Sequence, residues 1–184
     1  MLKTNQSKQN INTMKMKKLF SSFMICTLTY SISYGLELKS EKIAELNIII
    51  DTPTFSGTKI TYPIKAGNVS RKITGTVLPI GADFGPLISP ITFKPAVREV
   101  MRTTEHATIY ATYTGYIYAD AETFKLLVSG NAKVVNPYKY YSRTNPIFKT
   151  TSAKYDRLTH TAVIGIGPMT DTGVNFKGCA INLK

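Results

Sequence analysis

The sequence predicts one all-β domain, a single antiparallel β-barrel, preceded by an N-terminal signal peptide. Three observations lead there. Beyond residue 35 apolar residues mostly alternate with period two, turn-forming residues recur roughly every ten positions, and no helical pattern is long enough to organise a domain.

The first 35 residues contain five lysines and no acidic residue, and an apolar-to-small run extends from Leu19 to Tyr34. A basic stretch, a short apolar stretch and small residues, in that order, make a secretory signal. Serines and threonines interrupt the run, which falls short of the roughly 20 apolar residues that a membrane span needs. Cleavage is expected after Gly35, with Ser33 and Gly35 as the small pair, and Met16 is a better start for export than Met1. Cys26 follows the bulky residues of SFMI, which argues against lipid attachment there. The expected organisation is therefore a signal peptide with a polar extension over 1–35 and a β-barrel domain over 36–184. Its expected location is exported, either periplasmic or secreted.

Charge and cysteine content narrow the partners. The whole chain carries +12; without residues 1–35 it keeps 18 basic and 11 acidic residues, a balance of +7. The lysines, among them Lys59, Lys94, Lys125 and Lys177, stand singly rather than in a run or stripe. That spacing describes a solvated basic surface, so neither nucleic-acid binding nor membrane insertion of the mature chain is expected. Only Cys179 remains after cleavage, so the mature chain has no internal disulfide; it alternates with Ala180 and Ile181 and reads as a buried, inert thiol. No Gly-rich phosphate loop, paired-cysteine spacing, HExxH or GxSxG occurs. No cofactor is expected. His106 and His160, without clustered carboxylates or thiols, make a poor metal site.

The candidate strands are AELNIIID, KITYPIK, RKITGTVLP, ATIYATYTGYIYAD, KYYSRTNPIFKT, RLTHTAVIGIGPM and GVNFKGCAINL, with PAVREVMR as the best helical candidate. Pro53, Pro79, Pro86, Pro90, Pro95, Pro137 and Pro146 fall at or beside expected strand ends, where a missing donor matters least. Meandering strands with alternating faces hide their edges by closing, and a barrel of about eight strands either packs its interior or holds one small ligand. Gly115, Gly165 and Gly167 lie inside strands. Both strong bending and clearance for a bound molecule remain open there.

Several segments resemble one family. GTVLPIGAD at 75–83 is similar to the G-x-V-L-P-G-G-A-D signature of the domain-of-unknown-function family numbered 3237, YYSRTNPIFKT at 140–150 to its Y-F-R-T-x-P-x-F-E-T, and YDRLTHTAVIGIG at 155–167 to its closing segment. The resemblance spans nearly the whole mature chain. It implies a calycin-like barrel, with a strand rather than a helix at PAVREVMR, and it implies no settled activity. Departures include Ile80 for a glycine, Phe84 for tryptophan, Glu105-His106 for Asp-Gly, and Arg157 and Thr159 for Trp and Asn. A signal peptide is also unusual for such proteins.

Asp83 opens the list of candidate site residues. Ala82 and Phe84 flank it, so the carboxylate either bonds turn amides, pairs with a cation or has its pKa raised toward a general base's range. Arg143, expected inside the barrel, would need a carboxylate or an anionic ligand, and Asp83 is its natural partner. Tyr110, Tyr116 and Tyr118 share one strand face and Tyr113 takes the other; with Tyr141 and Phe148 they are candidate cavity walls. His160 is a second candidate acid or base. The leading expectation is a monomer or homodimer that binds a small, mostly apolar molecule with an anionic or carbonyl end through Asp83, Arg143, Tyr110, Tyr116, Tyr141 and Phe148. The alternatives are a cofactor-independent isomerase, cyclase or lyase with Asp83 as base, and an envelope interaction protein with a filled core.

Overall fold

Strand β1 (Leu38–Ile50) lies at the centre of the chain's pairing, with the last strand on one side and the third on the other. The computed structural model describes residues 37–183; the expected signal peptide and its cleavage point lie outside them. After β1 come β2 (Thr54–Ser56), β3 (Lys59–Arg71), β4 (Gly75–Val77), β5 (Ala82–Asp83), β6 (Leu87–Ser89), β7 (Thr92–Phe93), β8 (Ala96–Thr103) and β9 (Thr108–Ala119). Helix α1 (Ala121–Val128) follows, then β10 (Tyr140–Thr150), β11 (Val163–Ile166), β12 (Met169–Thr170) and β13 (Gly173–Leu183). Antiparallel pairing runs from β3 through β1, β13, β11, β10, β9 and β8, and returns through β4 and β5 to β3. Counting the interrupted β4–β5 as one wall, this is a closed eight-stranded antiparallel barrel. Closure leaves no long unpaired edge.

The interruption coincides with the sequence signature. β4 and β5 both bridge β3 and β8, but between them strand pairing is interrupted: the Leu78 amide still donates to the Val100 carbonyl and the Gly81 carbonyl accepts from Ile64, while Ile80 stands 68% exposed. Opposite the break β3 carries its own irregularity: Ile49 pairs with Ala66 while Ile50 pairs with Ile64. Lys65 and Ala66 are consecutively exposed, and Tyr62 and Ile64 beyond them turn inward. Bulges of this kind bend a wall and re-aim the residues that follow.

Residue type explains most elements. In β8 Val97, Glu99, Met101 and Thr103 are buried, while Arg98 and Arg102 are exposed. That period of two makes PAVREVMR a strand, and the helical alternative is corrected. The β8–β9 connection spans Thr104 to Ala107, longer than a two-residue turn, and His106 adopts φ 65° there, which glycine adopts more readily. RLTHTAVIGIGPM is only partly extended: Ala153–His160 forms 3-10 turns and pairing begins at Val163. Pro146 lies within β10, not at its end, past the residues that pair with β11.

Helix α1 went unforeseen, although Asp120 followed by Thr123, Phe124 and Leu127 signals a capped, one-sided helix. Asp120 accepts hydrogen bonds from the Thr123 amide and hydroxyl, both at 2.8 Å. Phe124 and Leu127 are buried against Phe93, Ile117 and Tyr140. A larger cluster, including Ile73, Met101, Ile109, Phe148 and Val163, fills the rest of the interior. Cys179 is free and half-buried in β13, less enclosed than its alternation with Ala180 predicts.

The strand glycines serve close backbone approach. A Cβ on Gly115 would lie 2.0 Å from the Arg143 carbonyl oxygen, and one on Gly165 would lie 1.9 Å from the Phe176 ring. Close packing thus accounts for both; Gly167 lies past the end of β11, not inside a strand as expected.

Candidate functional site

Between the two clusters lies a cavity of about 100 Å³. Its walls are mostly apolar: Ile48, Ile64, Phe93, Val97, Ile117 and Phe176 from the strands, with Phe124, Leu127 and Val128 from α1. The polar groups that reach it are few. They are Asp83 on β5, Tyr62 on β3, Tyr113 on β9, and Ser142 and Thr144 on β10.

Register explains why three of these meet. Tyr62 pairs with Asp83, Asp83 with Val97, and Val97 with Tyr113, so the four form one row across β3, β5, β8 and β9. Directly paired residues in antiparallel strands project to the same face. Asp83 and its two flanking tyrosines therefore share the inner face.

The Asp83 carboxylate accepts a hydrogen bond from the Ala96 amide at 2.8 Å, and the Gly85 amide also acts on its charge. Burial outweighs both and raises its pKa to about 6. No ion pair reaches it among the described residues. One row away on β8, Glu99 is only 3% exposed and accepts a hydrogen bond from the Tyr113 hydroxyl at 3.2 Å. Burial raises the Glu99 pKa to about 7, and burial with the adjacent carboxylates holds the Tyr113 hydroxyl protonated well above its ordinary range. Tyr113 stacks on Phe176 with centroids 5.3 Å apart. The Thr144 hydroxyl is buried without a hydrogen-bond partner.

Asp83 is the one expected site residue that lines the cavity, together with Tyr113 from the opposite tyrosine face. Arg143 projects from the outer face of β10; its guanidinium donates to the Ser142 carbonyl oxygen at 2.7 Å and lies 5.3 Å from the Tyr141 ring. The expected Asp83–Arg143 pair does not form, because alternation along β10 turns Ser142 and Thr144 inward and Arg143 outward. Tyr110, Tyr116, Tyr118 and Tyr141 are likewise exposed on the outer surface, 40% or more. Phe148 points inward but belongs to the packed cluster and does not line the cavity. His160 is exposed beside Asp156, 3.7 Å away, and is not gathered with Asp83. Glu99 escaped sequence reading. Its signal was present: a lone acid at an inward position of an alternating strand is unusual. No group of three or more His, Cys, Asp or Glu side chains suited to a metal occurs among the described residues.

The chain resembles several known proteins. A UPF0311 protein of Clostridium acetobutylicum is 30% identical over 126 residues, which cover 65% of this chain and 78% of that protein. The crystal structure of a conserved protein of unknown function from Rhodopseudomonas palustris superposes with a TM-score of 0.75 at 26% identity, covering 79% of this chain and 98% of that one. A β-barrel like protein from Acinetobacter baumannii matches with a TM-score of 0.66 at 25% identity, over 79% and 97% of the two chains. The family described as protein of unknown function (DUF3237) matches residues 33–181, in agreement with the signature at 75–83 and the barrel built around it, and the chain belongs to that family.

Proposed function

We propose that the protein binds a compact, neutral, largely apolar molecule whose carbonyl or hydroxyl end meets Asp83. The observation that carries this reading is a carboxyl group without a cation partner in the wall of an otherwise apolar cavity. A few placed polar groups in an apolar pocket fix a ligand's orientation. An ionised Asp83 accepts from a hydroxyl, and a protonated one donates to a carbonyl. An anionic end is the poorer match, because Arg143 lies outside and a second carboxyl, Glu99, is nearby. The volume of about 100 Å³ favours something near the size of a single ring.

Native mass spectrometry of the protein purified from its own cells tests the reading. The expected result is an added mass that Asp83→Ala loses and Arg143→Met keeps. Loss in Arg143→Met with retention in Asp83→Ala would overturn it.

We also propose that the chain is exported, supported by the basic-then-apolar order of residues 1–35. N-terminal sequencing is expected to begin at Leu36; an intact N-terminus in the cytoplasmic fraction would overturn this proposal.

A further inference from the structure

We propose that the cavity performs proton transfer at carbon on a small ketone, with Asp83 as the base and the hydrogen-bonded Tyr113–Glu99 pair holding the carbonyl oxygen. This rests on the binding reading above and adds an activity to it. Three placements carry it. Asp83 and Tyr113 lie in one inward row, separated by Val97, so a ligand in front of Val97 has a carboxylate on one side and a hydroxyl on the other. Tyr113 is held by its stacking on Phe176 and by Glu99 behind it. Thr144, on the strand beside Tyr113, leaves a buried hydroxyl oxygen without a partner at the cavity wall.

Glu99 needs its own explanation. A buried carboxyl ordinarily meets a cation or several amides, and burial without them is unfavourable. Among the described residues Glu99 has neither; its side-chain hydrogen bond comes from Tyr113. When Glu99 is protonated, its hydroxyl donates to the Tyr113 oxygen, which frees the tyrosine hydrogen to point into the cavity. Paired acids whose environments differ can supply base and acid at the same pH. Asp83, which lines the cavity, is the base, and Glu99, which lies outside the lining and bonds Tyr113, is the proton-holding partner.

The step balances. An Asp83 oxygen takes the hydrogen on the carbon beside the carbonyl as a proton. The C–H electron pair becomes a C=C bond, and the C=O π pair moves to oxygen, which accepts the Tyr113 hydrogen bond. Return of the proton from Asp83 to the same carbon, or to the far carbon of a conjugated system, restores the carbonyl. The cycle is redox-neutral and consumes no co-reactant. Tyr113 touches the reacting oxygen, and Glu99 is a positioning residue that acts through it.

The groups facing Asp83 fix the pH dependence. They are Tyr62 on β3 and Tyr113 on β9, with Glu99 on β8 reached through Tyr113, while β10 offers Ser142 and Thr144, and α1 and β13 offer apolar side chains. The rate is expected to rise as Asp83 ionises and to fall as Glu99 loses its proton. Glu99→Gln removes the falling limb and keeps the rising one.

The experiment uses cyclohexanone in D2O, with loss of its α-proton NMR signal as the rate and saturation transfer from the protein as the measure of binding. Asp83→Asn is expected to slow exchange about 100-fold while saturation transfer persists. Exchange equal in wild type and Asp83→Asn, with transfer intact in both, overturns the activity and leaves the binding reading standing. Absence of both signals in the wild type overturns both. Should Asp83→Asn fail to fold by circular dichroism, the Glu99→Gln pH profile decides, and an unchanged falling limb overturns the proposal.

Discussion

The two ends of the barrel interior are built differently. At one end Met101 and Ile109 from the strands and Ile73 from the β3–β4 connection are fully buried, and Tyr155 from the 3-10 segment packs with them. At the other, α1 lays Phe124, Leu127 and Val128 beside the strand residues and a cavity remains between them. Asp83 lines that cavity, and Glu99 lies on β8 between Val97 at the cavity and Met101 in the packed end. Packing density, not strand pairing, separates a stabilising end from one able to hold a ligand.

Core truncation breaks the comparison most directly. Met101→Ala is expected to cost about 2–5 kcal/mol in denaturant unfolding, since the site is sealed on all sides. Val128→Ala, 44% exposed at the cavity end, is expected to cost under about 1 kcal/mol. Equal losses would show the two ends to be equally packed.

The next largest effect is on pH dependence. Burial raises Asp83 from 3.8 to about 6 and Glu99 from 4.5 to about 7. The native state therefore holds these protons more tightly than the unfolded chain. The stability they contribute is fully present below the unfolded values and is lost as pH rises through 6 to 7. For Glu99 alone the loss between pH 4 and pH 8 is on the order of 3 kcal/mol. Glu99→Gln should flatten that decline in unfolding curves, and an unchanged slope would mean the carboxyl is solvated.

Smaller changes sharpen the contrast. Asp120→Ala removes the cap of α1 and is expected to cost about 1 kcal/mol. Hydrogen exchange should quicken in α1 and not at Met101 or Ile109; uniform acceleration would tie the helix to the packed end. Arg143→Met, on the outer surface, should shift stability by less than about 0.5 kcal/mol and leave ligand retention unchanged.

Alternation made the all-β class legible, and the run GTVLPIGAD singled out Asp83. The same period of two sorted Tyr110, Tyr116 and Tyr118 from Tyr113, but the expected wall took Tyr110 and Tyr116 from the face that is outer. Ile109, Ala111, Ile117 and Ala119 share Tyr113's parity and mark the inner face, whereas Thr112 and Thr114 stand among the outer tyrosines. Arg143 misled because its neighbours Ser142 and Thr144 are polar, which made the inward positions of β10 look like the outward ones. Helix α1 was missed because eight residues give little periodicity to read.

By itself, then, the sequence determined the all-β class and the signature run that carries Asp83, because alternation and turn chemistry are local. Tertiary structure alone decided that Asp83 shares an inward row with Tyr62 and Tyr113, with Glu99 bonded to Tyr113, instead of pairing with Arg143. Those partners are set by register across β5, β8 and β9 and by the bulges opposite them, which bring together residues from three separate stretches of chain.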